Sequence, residues 1–209
     1  RPIHLVPTVT IGFVLYIAGY AAYRPISYAR HFGFDFPLGP DPTLWGKAAV
    51  LARYDSPQTL PPAFPKLTSV MAGTESLVQG ALYVNSLSLG CAVLFAAFGA
   101  AALGTNWLIS CIAALAAATF VGLCSSVFPV IYYFQPDLMT FAALTAFAAA
   151  GAWLSRHQNK WSVLFFGVAA GVCFSTREHG IVIAISALLA VCIALKKGRR
   201  VFFFLLFLL

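Results

Sequence analysis

Pro40-Asp41-Pro42-Thr43-Leu44-Trp45 sets a carboxylate between two prolines, just ahead of an apolar helical pattern. An Asp before Pro is a good helix N-cap, and a proline suits the first helical turn. The same placement fixes the direction of the Asp41 carboxylate and leaves it open to a substrate. Three prolines follow in Leu60-Pro61-Pro62-Ala63-Phe64-Pro65-Lys66. They set a rigid bend and are expected to interrupt any helix, with Lys66 at its exit free to meet a phosphate or a lipid headgroup. Asp137 comes after Pro136 and the aromatic run Phe128, Tyr132, Tyr133 and Phe134. The positive end of a helix dipole welcomes an acid there, but at the edge of hydrocarbon such an acid is costly without a partner. Finally, Thr176-Arg177-Glu178-His179-Gly180 gathers three ionisable types in succession. On a soluble surface this would be a solvated loop; at headgroup depth Arg177 is suited to a lipid phosphate.

The elements that must position these residues are membrane helices. Hydrophobic residues make up 61% of the 209 and charged ones only 9%, against about 25% charged in a soluble domain. A soluble core cannot hide that much apolar surface, so lipid must serve as solvent. The net charge of +7 would suggest nucleic acid in a soluble protein. Here the cations sit in short clusters between apolar runs, which is the pattern of membrane topology and not of a nucleic-acid partner. The expected fold is an all-α polytopic membrane protein with spans at about 3–22, 82–103, 107–127, 138–154, 161–174 and 181–195. A seventh run begins at Val201 and is cut short at Leu209, while residue 1 is Arg1, so both ends read as truncated. Between the first two spans, residues 23–80 form a long loop whose Leu44, Trp45, Ala48, Leu51 and Ala52 fall at helical spacing. That pattern reads as one or two helices lying along the interface.

The basic links 156–160 and 196–200 contain cations and no acid, and they lie two spans apart. The positive-inside rule places both in the cytoplasm, so the 23–80 loop faces outward. All six acids (Asp35, Asp41, Asp55, Glu75, Asp137, Glu178) then fall on the outer face, which points to an outward-facing site. The five cysteines all lie in apolar runs without metal spacing and read as small hydrophobes. His4, His31 and His157 lack companions at ligand spacing, and Gly167-x-x-x-Gly171 reads as a helix-packing pair.

Taken in order, these pieces resemble the membrane glycosyltransferases of the protein mannosyltransferase and aminoarabinose transferase type, which share the GT-C fold. The resemblance runs from Pro40 to about Leu195. Pro40-Asp41-Pro42-Thr43-Leu44-Trp45-Gly46 is similar to the family's first-loop Pro-Asp-Glu-x-x-Tyr-Ala, and Pro61-Pro62-Ala63-Phe64-Pro65 to its Pro-Pro-x-Tyr-Pro. Asp137 stands where the family opens its fourth span with an acid. Gly167 through Gly171 to Thr176-Arg177 and Gly180 follows its Gly-x-x-x-Gly…Thr-Lys-x-x-Gly. Each motif is weak alone; four in register are stronger.

The resemblance implies a transfer of sugar from a polyprenyl-phosphate lipid to an acceptor hydroxyl on a glycan, lipid or protein, with inversion. Asp41 would be the catalytic base and Arg177, in place of the family's Lys, would hold the phosphate. Asp137, Glu178 and Lys66 would bind substrate, with Asp137 orienting the acceptor, the sugar or a divalent cation. Such a metal would draw on Asp41 and Asp137; no cofactor is otherwise implied. Pro42 replaces the acid usually paired with the first-loop Asp, which weakens the metal argument. The site would face the outside of a plasma (inner) membrane or the lumen of the endoplasmic reticulum. Two rivals belong to other classes. A secondary transporter would place ionisable groups at mid-bilayer in repeated halves; here the acids gather at the rim and no repeat is apparent. A non-catalytic assembly subunit would leave Asp41, Asp137 and Arg177 freely replaceable.

Overall fold

The computed structural model describes residues 5–32, 47–50, 52, 62–73, 76–124, 136–176, 182 and 185–186. These are all-helical, with no strand among the described residues. Among the described residues, six helices have defined bounds, in chain order: α1 (Leu5–Phe32), α2 (Ala63–Ala72), α3 (Leu77–Leu103), α4 (Trp107–Leu123), α5 (Asp137–Arg156) and α6 (Lys160–Thr176). Val6–His31, Leu77–Leu103 and Asp137–Arg156 are long and apolar enough to cross a membrane. The 17 residues of α4 and of α6 give about 25 Å each, a little short of the roughly 30 Å hydrocarbon core.

Helix starts follow from local chemistry. Ser76 and Gln79 form a reciprocal capping box, the Gln79 amide donating to Ser76 Oγ and the Ser76 amide to Gln79 Oε1, both at 3.3 Å. This begins α3 at Leu77, five residues ahead of the expected boundary at residue 82. Asn106 accepts from the Ile109 amide at 2.9 Å and starts α4 after a three-residue turn. Asn159 and Ser162 exchange amide-to-side-chain bonds at 3.2 and 2.9 Å where α6 begins.

The end of the first helix needs correction. The sequence pattern starts the long loop at Tyr23, yet α1 continues to Phe32 with Pro25 inside it. A mid-helix proline forfeits a backbone bond and costs about 3 kcal/mol. Pro25 is fully buried, and Ala29 beyond it shares a core with Leu82 and Leu138, so bundle packing offsets that cost. The proline run around residue 62 coincides with a helix start. Pro62 is the N-cap of α2 and Pro65 falls in its first turn, where an amide has no helical partner to lose.

α3 is the hub of the bundle, packing on α1, α2, α4 and α5. Small residues let the helices approach. A Cβ on Gly90 would lie 3.1 Å from the Ala18 carbonyl and from Ala22 Cβ, and one on Gly99 3.0 Å from Ala149 Cα. Of the expected packing pair, Gly171 is exposed and meets nothing within 4 Å among the described residues, and most of the expected sixth and seventh spans lie outside them. Close approach is made instead by glycines of α3 and α4, among them Gly122 against Ile17.

Candidate functional site

The contacts sort the helix ends into two sets. At one end, Arg156 Nη2 donates to the Leu103 carbonyl at 3.1 Å, beside the starts of α4 and α6. At the other lie the start of α3, the start of α5 and the end of α6, with α2 packed across them. The Asp137 end is thus opposite the Arg156 end. Arg156, His157 and Lys160 occupy the latter and are exposed.

Asp137 is the first residue of α5 and is half-buried. Pro136 is the N-cap, and its carbonyl accepts from the Thr140 amide at 2.7 Å and from Thr140 Oγ1 at 2.9 Å. The carboxylate therefore sits at the positive end of the helix dipole, as expected from sequence. Leu138, next in the chain, is buried in the core with Ala29 and Leu82, while Met139 packs against the cluster that contains Phe64, Ala81 and Val84. Phe64 belongs to α2 and precedes Lys66 by two residues, and Lys66 is exposed. One apolar cluster thereby fixes both elements, bringing the Lys66 helix and the Asp137 helix to the same end. Ala49, from the helical residues 47–50, joins that cluster; this bears out a helical reading for Ala48 and its neighbours. Asp41, Arg177 and Glu178 lie outside the described residues, as do Asp35, Asp55, Glu75 and most of the expected sixth and seventh spans.

Below this end runs a cavity of about 330 Å³ between α2, α3, α5 and α6. Leu67 and Met71 of α2, Leu87 and Cys91 of α3, Met139 of α5 and Val172 of α6 line it, with Ser88 a minor polar element. Leu67, Leu87, Cys91 and Val172 are exposed, so the groove opens sideways to the surroundings of the bundle. Its volume is that of a small-molecule site, and its walls suit a hydrocarbon chain. Thr176, last residue of α6, is fully buried with its hydroxyl donating to the Cys173 carbonyl at 2.9 Å. That bond tightens the final turn immediately before Arg177.

Sequence reasoning misses the groove. Its signal is present in Leu67 and Met71, four apart and directly after the proline run, but those prolines read locally as a bend and hide α2. No group of three His, Cys, Asp or Glu able to hold a metal occurs among the described residues. The described cysteines are all free thiols within helices or at their ends.

Helix length and composition define this chain as a helical membrane protein. Comparison with protein-family models, with curated proteins and with solved structures gives no match.

Proposed function

We propose that this protein is a polyprenyl-phosphate-dependent glycosyltransferase working at the outer or lumenal face of a membrane. The observation that carries the reading is the lateral apolar groove rising to the end of the bundle that bears both Lys66 and Asp137. A polyprenyl-phosphate donor needs that combination, because its tail must stay in an apolar trough while its phosphate meets cations at headgroup level. This stretch of chain crosses the membrane about six times and enters a seventh span, with the Arg156 and Lys196 links cytoplasmic and the catalytic end outside. It resides in a plasma (inner) membrane or the endoplasmic reticulum.

In this account the prenyl chain lies along Leu87, Cys91 and Val172. Arg177, bonded to Thr176, takes the phosphate through parallel hydrogen bonds, with Lys66 adding a second positive charge. Asp137 and Glu178 orient the acceptor and the sugar, and a divalent cation, if used, draws on Asp41 and Asp137. The acceptor hydroxyl oxygen attacks the anomeric carbon from the face opposite the phosphate. As the new C–O bond forms, the bond to phosphate oxygen breaks, the hydroxyl proton passes to Asp41, and polyprenyl phosphate leaves. The configuration inverts. General-base help is worth roughly 10²–10⁴-fold, and stabilising the departing phosphate adds to it.

The test varies a synthetic short-chain polyprenyl-phosphate sugar at fixed acceptor. Arg177→Ala should raise the donor concentration needed and slow transfer, while Arg177→Lys recovers a substantial part of both. Acceptor dependence should change little. Wild-type behaviour of both variants across the donor range would remove the phosphate ligand and with it this donor class.

A further inference from the structure

The C-terminal half of α1 carries an organised face that the transferase reading does not use. Tyr20, Tyr23, Arg24, Ser27, Tyr28 and His31 recur at helical spacing and line a shallow concavity of about 300 Å³. All but Ser27 are exposed, and the Arg24 guanidinium sits 5.9 Å above the Tyr20 ring. The same face continues toward the opposite end as an aromatic ladder. Tyr20 stacks on Tyr16 at 6.4 Å, and Tyr16 meets Phe13 at 6.3 Å, with Phe13 57% and Tyr16 68% exposed.

Depth gives these two halves different surroundings. Counting about 20 residues of α3 up from Leu103 spans the roughly 30 Å of hydrocarbon and ends near Tyr83. Ala18 and Ala22 face Gly90, and Ala29 shares a core with Leu82, so the hydrocarbon edge crosses α1 close to Tyr28. The Phe13–Tyr20 ladder then lies at acyl-chain depth. Arg24 is about one turn below the edge, within reach of headgroups by extending its stem. His31 and Arg30 lie just beyond it. Residues 5–32 include Arg24, Arg30 and His31 and no acid.

From this arrangement we infer that the face of α1 holds one anionic glycerophospholipid of the leaflet at the Asp137 end. Its phosphate meets Arg24 and His31 with the Tyr23, Ser27 and Tyr28 hydroxyls around it, and one acyl chain runs along Phe13, Tyr16 and Tyr20. An ordinary interfacial aromatic belt would account for tyrosines near Tyr28. Beyond the belt, Arg24 and the exposed ring ladder continue along the same face of α1 in one direction, as a headgroup and its acyl chain would. The lipid contacts all lie on α1, their depth follows from its packing on α3, and the inference is independent of the transferase reading.

The experiment uses the full chain in nanodiscs of phosphatidylcholine doped with photoreactive phosphatidylglycerol. Native mass spectrometry counts the lipid retained, and peptide mapping locates the label. Retention should favour phosphatidylglycerol over phosphatidylcholine, and the label should map within residues 13–31. The double variant Arg24→Gln, His31→Gln should lower that preference at least about five-fold, the order expected for one cation near an anionic surface. Both side chains are exposed, so circular dichroism should show an unchanged helix content. Excess inorganic phosphate should leave the labelling intact. Absence of any preference, a wild-type label mapping outside residues 13–31, or wild-type retention by the variant would each overturn the assignment. So would loss of labelling to free phosphate, which would make the site an ion site. If the variant does not fold, the label position in the wild type decides alone.

Discussion

The packing of α3 on α5 can be tested by a single methyl group. A Cβ on Gly99 would sit 3.0 Å from Ala149 Cα and 3.2 Å from Ala149 Cβ. Carbon atoms rest at about 3.5–4.0 Å, so Gly99→Ala must part the helices by about half an ångström or more. The obstacle is backbone and a β-carbon, neither of which can rotate away. Parting the helices there also disturbs the Phe98–Trp153 edge contact at 6.0 Å and the Arg156 bond to Leu103. Overpacking of this kind costs about 1–3 kcal/mol, partly masked by the roughly 0.5–1 kcal/mol that alanine gains over glycine inside a helix. Gly171→Ala supplies the control, because it carries the same propensity gain and meets no atom within 4 Å. The propensity term cancels in the difference. Gly99→Ala should therefore be about 1–3 kcal/mol less stable than Gly171→Ala, which is roughly 5- to 150-fold in the folding constant. Steric-trapping or detergent-titration unfolding in bicelles reads that ratio. Equal stabilities, or the reverse order, would refute the close approach of α3 to α5 at Gly99.

Ser76→Ala removes one half of the capping box and should cost about 1 kcal/mol in the same unfolding assay, whereas Ser76→Asp should restore most of it. Topology is checked by impermeant thiol labelling in a background lacking the native cysteines. Lys66→Cys should react from outside and Lys160→Cys only after permeabilisation; the opposite pattern would invert the proposed site.

Much of the helical layout is legible in composition and apolar run length. The starts at Trp107, Asp137 and Lys160 fall within a residue of expectation, because an Asn, a Pro or a charged link marks each one. Misjudged regions share a cause, which is tertiary packing prevailing over a local signal. The first apolar run reads as ending at residue 22, but burial of Pro25 and Ala29 against the bundle carries α1 on to Phe32. Gly167 and Gly171 match a packing spacing, yet spacing cannot say which face meets a neighbour, and among the described residues Gly171 meets none. The groove lies beyond sequence reasoning because its walls come from four helices, the nearest lining residues of α2 and α6 being about a hundred positions apart. Of the candidate site, Asp137 and Lys66 come to one end because Met139 packs against the apolar cluster that holds Phe64, residues that no sequence period relates.

The central claim is that sugar passes from a polyprenyl phosphate to a hydroxyl under the action of Asp41. Its most direct test is radiolabelled sugar transfer by the purified full-length protein, comparing wild type with Asp41→Asn at saturating donor and acceptor. Asn keeps the size of Asp and can still cap a helix, so expression and thermal unfolding should match wild type. Wild type should transfer sugar from the prenyl-linked donor and not from the same sugar on a water-soluble phosphate. Asp41→Asn should lose at least about 10²-fold in rate. No transfer by the wild type from any prenyl-linked donor, or a folded Asp41→Asn protein with the wild-type rate, would contradict the account.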